Sequence, residues 1–121
     1  VNPQRRDPMP IYQPARLLGL HLSEHDRYQG KPLHELIVAK CRELKIAGAT
    51  VFRGHEGYGE TSEIHRHHLL KHDLPLVINI IDTVENIDRL LPVIEGMMDK
   101  GLITVSDVQT IRVKSGGASR V

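Results

Sequence analysis

The segment at residues 51–72, VFRGHEGYGETSEIHRHHLLKH, holds most of the side chains in this sequence that could bind a ligand. Its first part contains three glycines within six residues, Gly54, Gly57 and Gly59. The backbone N–H groups of such a run can form an anion-binding nest. Arg53, beside this run, and Arg112, near the end of the chain, are the basic side chains that we expect to contact a phosphate. The glycines match no nucleotide-binding fingerprint, so a flexible transition from strand to loop explains them equally well.

The second part of the same segment is rich in histidine. His65, His68 and His72 are spaced so that a helix would place all three on one face. Neutral imidazoles in that arrangement could bind zinc or copper, with Glu63 or Asp73 as a fourth ligand. A divalent metal site is the alternative hypothesis for this segment, because the spacing matches no strict ligand motif and histidine-rich surface is common. Such a loop could also respond to pH.

Catalytic arrangements are not evident in the sequence. The serines and threonines lie in no nucleophile motif, and nothing distinguishes a general acid or base. The acidic candidates and the scattered histidines are interpreted as ordinary surface or core residues; they are Glu24, Asp26, Glu56, Glu60, Glu63, His21, His25, His34 and His55. The sequence therefore predicts a protein that is not an enzyme.

The overall composition restricts the classes of partner. A chain of 121 residues has the length of a single domain. Because only 3% of its residues are aromatic, its core is expected to be aliphatic. The net charge of +1 gives no argument for nucleic acid. The single cysteine, Cys41, excludes an internal disulfide and is expected to be a small buried hydrophobe. No run approaches the roughly 20 apolar residues of a membrane span, and the first residues lack a signal-peptide centre. We therefore expect a cytoplasmic protein without direct membrane insertion.

Apolar patterning predicts the elements that would position these side chains. Strands are predicted at 15–22, 49–53, 74–81 and 108–113. The first helix has Pro32 at its first position and ends before Gly48. The second helix begins with a capping box formed by Asp82 and Glu85, is expected to kink at Pro92, and ends at Gly101. Residues 1–14 and 114–121 are expected to be a flexible arm and tail around a folded unit at 15–113.

The predicted order is β-α-β-β-α-β, which indicates an α+β fold. Two amphipathic helices and four short strands are typical of a ferredoxin-like two-layer sandwich with both helices on one face of the sheet. The strands are apolar in runs rather than in strict alternation. We therefore expect the other face of the sheet to pack against a second subunit, since an exposed aliphatic sheet promotes aggregation.

Several motifs resemble PII signalling proteins when taken in order. They are GATV (48–51), GYG (57–59), LPLVINI (74–80) and TIRV (110–113). The chain is still more similar to a family of small PII-like proteins that remain largely uncharacterised. That resemblance runs through SEHDRYQGKPLHELIV, AGATVFRG and LLPVIEGMMDKGLITV, and it covers nearly all of 15–113.

The resemblance implies a homotrimer whose sheets face inward and whose effector, an adenine nucleotide, binds in clefts between subunits. It also implies that the loop between the second and third strands, here 54–73, engages a partner such as a membrane transporter. The residues placed by it in the cleft are Thr50, Gly57 and Gly59, with Tyr58 between the glycines, and Arg112 in the closing strand. Together with Arg53 they form the predicted effector site.

Two departures from PII proteins bear on the ligand. Thr110 stands where those proteins have the first arginine of the closing R-I-R motif, and the phosphate-holding sequence T-G-x-x-G-D-G-K is missing. Residues 95–107 offer only Gly96, Gly101 and Lys100 in its place. A site with fewer phosphate contacts favours AMP or ADP over ATP. The alternative hypothesis is a metal-binding trimer similar to the CutA proteins, using the histidines of the loop.

Overall fold

A computed structural model describes residues 9–58 and 73–113 of the chain. These residues form six strands and two helices. In chain order the elements are β1 (Gln13–Ser23), β2 (Arg27–Tyr28), β3 (Lys31–Pro32), α1 (Leu33–Glu43), β4 (Ala49–Arg53), β5 (Pro75–Asp82), α2 (Val84–Met97) and β6 (Leu102–Thr110).

The four long strands form one antiparallel sheet in the order β4-β5-β1-β6. Numbered along the chain, these four strands lie in the order 2-3-1-4, which is the ferredoxin-like arrangement, so the predicted fold class is confirmed. The short β2–β3 hairpin between β1 and α1 was not predicted. Its turn places Gln29 and Gly30 at positive φ, 53° and 81°, where glycine is favoured and a longer side chain is uncommon.

Both helices cover the same face of the sheet, as predicted. Alternate residues of β1 and β5, including Leu20 and Ile78, point into this layer and are fully buried. The helices contribute Leu33, Ile37, Cys41, Ile87, Leu90, Ile94 and Met97 to the same core. Cys41 is buried as expected, and burial raises the pKa of its thiol. The core is aliphatic.

The opposite face of the sheet, called here the open face, carries the residues that alternate with the core. Leu17, Val77 and Phe52 lie on it, but so do polar residues such as Asn79 and Thr104. Its surface is therefore more mixed than the sequence pattern indicated. That a second subunit covers this face stays a prediction.

The prediction for the last strand was wrong in its position. β6 spans Leu102–Thr110 rather than 108–113, and it pairs with β1 from His21↔Leu102 to Gln13↔Thr110. The strand has these limits because it pairs along the whole of β1. The polar residues at 104, 106 and 107 interrupt the apolar pattern, so the sequence alone did not indicate a strand there. Arg112 consequently lies beyond the strand.

Both helices begin about one residue later than predicted and end several residues earlier, α1 at Glu43 and α2 at Met97. Thr83, not Asp82, is the N-cap of α2, and its hydroxyl accepts a hydrogen bond from the backbone N–H of Asn86 at 3.1 Å. Pro32 is the N-cap of α1 rather than its first residue. Helix α2 continues through Pro92 to Met97, four residues before Gly101. The kink at Pro92 stays a prediction.

Candidate functional site

The predicted loop begins and ends at one end of the sheet, called here the loop end. The strand register pairs Ser23 with Pro75 and Arg53 with Leu76, so the last residues of β1 and β4 and the first of β5 meet there. The described part of the chain stops at Tyr58 and resumes at Asp73. Gly59 of the effector site and His65, His68 and His72 of the metal site lie outside it, as do Glu60 and Glu63.

Two glycines of the loop pack directly against Pro75. The backbone N–H of Gly54 donates to the Pro75 carbonyl at 2.7 Å. A Cβ on Gly54 would lie 2.8 Å from Pro75 Cγ, and a Cβ on Gly57 would lie 2.9 Å from the same atom. The close approach of the chain to Pro75 therefore gives both glycines a steric reason that does not depend on a ligand. Tyr58, which follows them, is 90% exposed.

Arg53 is paired with an acidic residue at the end of β1. Its Nε donates to Glu24 Oε1 at 2.8 Å, and the exposed fractions of the two side chains are 58% and 20%. The arginine is thus accessible from solvent while its partner is largely covered. An exposed guanidinium at the base of the loop can contact a phosphate, as the sequence suggested.

At the C-terminal end of the loop, a buried carboxylate forms hydrogen bonds to the end of β1. Asp73 accepts hydrogen bonds from the Ser23 hydroxyl and from His25 Nδ1, the latter at 3.0 Å, and its side chain is buried. The Glu24 backbone N–H donates to the Leu74 carbonyl at 2.9 Å. Because the Ser23 hydroxyl donates to Asp73 rather than to an imidazole, the cluster differs from an activated serine nucleophile.

Several of these contacts come from four consecutive residues at the end of β1, called here the SEHD segment: Ser23, Glu24, His25 and Asp26. Asp26 accepts from the Ser23 backbone N–H at 2.9 Å and lies 3.6 Å from Lys100 Nζ in the turn before β6. Sequence reasoning missed this segment, because its acidic and histidine residues were interpreted individually as ordinary. The available signal was four consecutive polar residues directly after a buried strand.

The other predicted effector residues lie elsewhere in the chain. Thr50 is on the open face, whereas Arg53 follows on the opposite face of β4, because strand residues alternate. Arg112 is beyond Thr110 at the far end of the sheet. The level of Arg53 corresponds to Leu22 of β1 and that of Thr110 to Gln13, which is about 30 Å along the strand. One subunit therefore does not bring its two arginines together.

Arg112 lines a separate cleft of about 860 Å³ at that far end. Ala47, Asp82 and Thr83 contribute to one wall, and the chain at Met9 contributes to another. The cleft is open to solvent and contains a basic group. It is the part of the chain where the Arg112 prediction has to be tested.

Residues 9–58 and 73–113 show neither a metal-binding cluster nor a membrane-spanning helix. No group of three or more His, Cys, Asp or Glu side chains within these ranges is arranged to hold a metal ion. Neither helix there has the length and apolar run that crossing a bilayer requires.

Comparison with solved structures shows a PII-like fold. CPII from Thiomonas intermedia K12, a nitrogen regulatory PII-like protein, was solved bound to ADP and bicarbonate. That structure is 20% identical, has a TM-score of 0.55, and matches over 86% of this chain and 95% of its own. CPII was also solved bound to ADP, AMP and acetate, with the same identity and TM-score over 84% and 93%. A putative PII-like signalling protein from Thermus thermophilus is 13% identical with a TM-score of 0.59, over 83% and 92%.

Sequence relatives extend the comparison to a named family. The UPF0166 protein of Aquifex aeolicus is 43% identical over 98 residues, which cover 79% of this chain and 92% of the relative. The model of the DUF190 family, described as "Uncharacterized ACR", matches residues 15–110, nearly the whole of the unit seen in the structure. With a PII-like fold and this match, the chain belongs to the DUF190 family.

Proposed function

We propose that this chain is a PII-like regulatory protein that binds AMP or ADP between the subunits of a homotrimer. The observation that carries the proposal is the exposed Arg53 beside Gly54 and Gly57 at the base of a long loop. It occurs in a fold shared with CPII, which was solved with ADP and AMP. The role proposed is regulatory rather than catalytic, and it would be carried out in the cytoplasm.

A cleft between subunits would allow both arginines to contact one nucleotide. Arg53 and Arg112 of one chain are separated along the sheet, so a single nucleotide does not reach both in one subunit. In a trimer, the Arg112 end of one subunit would meet the loop end of its neighbour. The nucleotide would then be held by groups of two chains, with Thr50, Gly57, Tyr58 and Gly59 on the side of the loop.

The charge available at the site supports a ligand with few phosphates. Lys100 is the basic side chain in the region that replaces the phosphate-holding sequence of PII proteins, and its ammonium group lies 3.6 Å from Asp26. Part of its charge is therefore already offset within the chain. AMP or ADP needs fewer cationic contacts than ATP, so we propose these as the effectors.

The loop at 54–73 is proposed to transmit binding to a protein partner, such as a membrane transporter. Fixing the backbone of a residue costs about 1–2 kcal/mol, so one ligand does not order some twenty loop residues. We expect the base of the loop, 53–60, to become rigid when the nucleotide binds. The rest of the loop would remain available to the partner.

Titration calorimetry with ADP and AMP tests the proposal on the purified protein. Arg112→Ala and Arg53→Ala are each expected to weaken ADP binding about tenfold or more, because each removes a charge-assisted contact to phosphate. Arg42→Ala is the matched control, because Arg42 is exposed on α1 and does not line the Arg112 cleft. Unchanged affinity in Arg112→Ala would show that the cleft is misplaced.

A further inference from the structure

The Arg53–Glu24 ion pair places a carboxylate on the guanidinium that the proposed function assigns to a phosphate. Glu24 Oε1 accepts from Arg53 Nε at 2.8 Å. We propose that Glu24 is a further residue of the binding site: its carboxylate competes with the phosphate of the ligand for Arg53 and so weakens the binding of phosphate-bearing ligands. This inference rests on the proposed function and names a residue that sets the affinity of the site for phosphate.

The backbone of Glu24 is held in place, which makes it a fixed competitor rather than a mobile surface charge. Its backbone N–H donates to the Leu74 carbonyl. Its two neighbours, Ser23 and His25, are both hydrogen-bonded to the buried Asp73. The Glu24 side chain is only 20% exposed, and so the carboxylate has little freedom to turn away from Arg53.

The neighbouring carboxylates are already engaged by other groups. Asp26 lies beside Lys100, and Asp73 beside Ser23 and His25. Glu24 is the acidic residue of the SEHD segment whose partner is the exposed Arg53. A phosphate that reaches Arg53 must displace this carboxylate or share the guanidinium with it, and the like charges repel in either case.

This competition affects only ligands that carry a phosphate. Adenosine brings no anionic group and does not displace Glu24, AMP brings one phosphate, and ADP brings two. Displacement would also release Arg53 from the segment that follows β1, at the point where the loop begins after β4. Replacement of the Glu24 carboxylate by a phosphate would therefore couple the charge of the ligand to the conformation of the loop base. The hydrogen bonds of Asp73 would meanwhile hold the C-terminal end of the loop in place.

The test compares Glu24→Gln with the wild-type protein, using ADP, AMP and adenosine as probes in titration calorimetry at fixed salt. We expect Glu24→Gln to bind ADP about five- to tenfold more tightly, because a competing charge is removed. Adenosine binding should not change. Glu43→Gln is the matched control, since it removes the same charge from an exposed i,i+3 pair on α1 and should leave ADP affinity unchanged.

A double-mutant cycle with Arg53→Ala shows whether the effect acts through the arginine. In the Arg53→Ala background, Glu24→Gln should lose most of its gain in ADP affinity. An equal gain in both backgrounds, or none in the wild-type background, would overturn the inference. Thermal melts of every variant establish that each is folded.

A failure of the proposed function can be distinguished from a failure of this inference. If the wild-type protein binds no adenine nucleotide, the same variants are titrated with inorganic pyrophosphate. Tighter pyrophosphate binding by Glu24→Gln that requires Arg53 would support the competition without the nucleotide. Equal binding by wild type and Glu24→Gln would overturn it.

Discussion

At the scale of single residues, Asp82 joins three parts of the chain. Its carboxylate accepts from the backbone N–H of Ala47 at 2.8 Å and of Thr83 at 2.6 Å, and from Asn86 Nδ2 at 3.1 Å. Partial burial on its own would raise the pKa of Asp82. The hydrogen bonds from Ala47, Thr83 and Asn86 and the nearby Arg89 outweigh this, and the pKa is lowered. The ionised form is thus favoured by folding.

Replacing Asp82 with asparagine should make stability less dependent on pH. A carboxyl whose pKa is lower in the folded state stabilises the fold above its unfolded pKa of about 3.9, and this is lost as pH falls through the folded pKa. At pH 7 we expect Asp82→Asn to lower the free energy of unfolding by about 1–2 kcal/mol. Urea unfolding at pH 7 and at pH 3 measures this. A difference of the same size at both pH values would contradict the assignment.

Asp99→Asn provides the control for that measurement. Asp99 is exposed in the turn after α2, away from the bonds that Asp82 accepts. Its substitution should change the free energy of unfolding by less than about 0.5 kcal/mol.

The SEHD segment shows what single-residue reasoning missed. Taken separately, Glu24, His25 and Asp26 have the composition of a solvated surface. They became a unit only because β1 ends between β5 and the turn before β6, with the end of β4 on the other side of β5. The contacts that tie the segment to Arg53, Asp73 and Lys100 are not local in the chain, and the pair Ser23–Asp73 spans 50 residues.

At the scale of elements, the strands buried in the middle of the sheet were predicted well. β1 and β5 are apolar runs with neighbours on both sides, and their predicted limits differ by one or two residues from the structure. β4 was predicted at 49–53, as observed. The edge strand β6 was misplaced, because its polar residues carry little pattern and its length is decided by pairing with β1.

The turn that leads into β6 gives a prediction at this scale. Gly101 has φ of 114°, and a Cβ on it would lie 2.6 Å from the His21 carbonyl oxygen and 2.9 Å from Met98 Cε. Backbone cannot move aside easily, so Gly101→Ala should destabilise the protein by about 2–3 kcal/mol, measured by urea unfolding. A loss below about 0.5 kcal/mol would show that the turn tolerates a side chain.

Gly96→Ala is the matched control for Gly101→Ala. Gly96 lies in α2, is exposed, and a Cβ on it would meet nothing within 4 Å. Because alanine has a higher helix propensity than glycine, this variant should be more stable by about 0.5–1 kcal/mol. The free energy of unfolding is therefore expected to fall in Gly101→Ala and to rise in Gly96→Ala.

At the scale of the whole molecule, the open face is where the proposed trimer would be formed. Leu102 lies on this face of β6 and is 60% exposed, and Val105 lies on the opposite face of the same strand and is 51% exposed. Leu102→Asp should dissociate the trimer, because a carboxylate would be buried between apolar surfaces. Val105→Asp should leave it intact.

Native mass spectrometry measures both variants and the wild type. The wild-type protein is expected at three times the 13.6 kDa chain mass, with up to three nucleotide adducts. A wild-type monomer, or dissociation of both variants alike, would contradict the proposed assembly. Metal-sized adducts that a chelator removes would instead support the site at His65, His68 and His72.

The sequence by itself determined the order of elements, the aliphatic core and the family resemblance, because these depend on local periodicity and on motifs that stay together along the chain. It also pointed to Arg53 and to the loop that follows it. Only the tertiary structure decided that Glu24 pairs with Arg53 and that Ser23 and His25 hold Asp73. It also decided that Arg112 follows a strand end, at Thr110, that lies about 30 Å from the level of Arg53 along the sheet. Each of these depends on which strands become neighbours and in which register, and pairing between distant segments leaves little trace in the local pattern of either one.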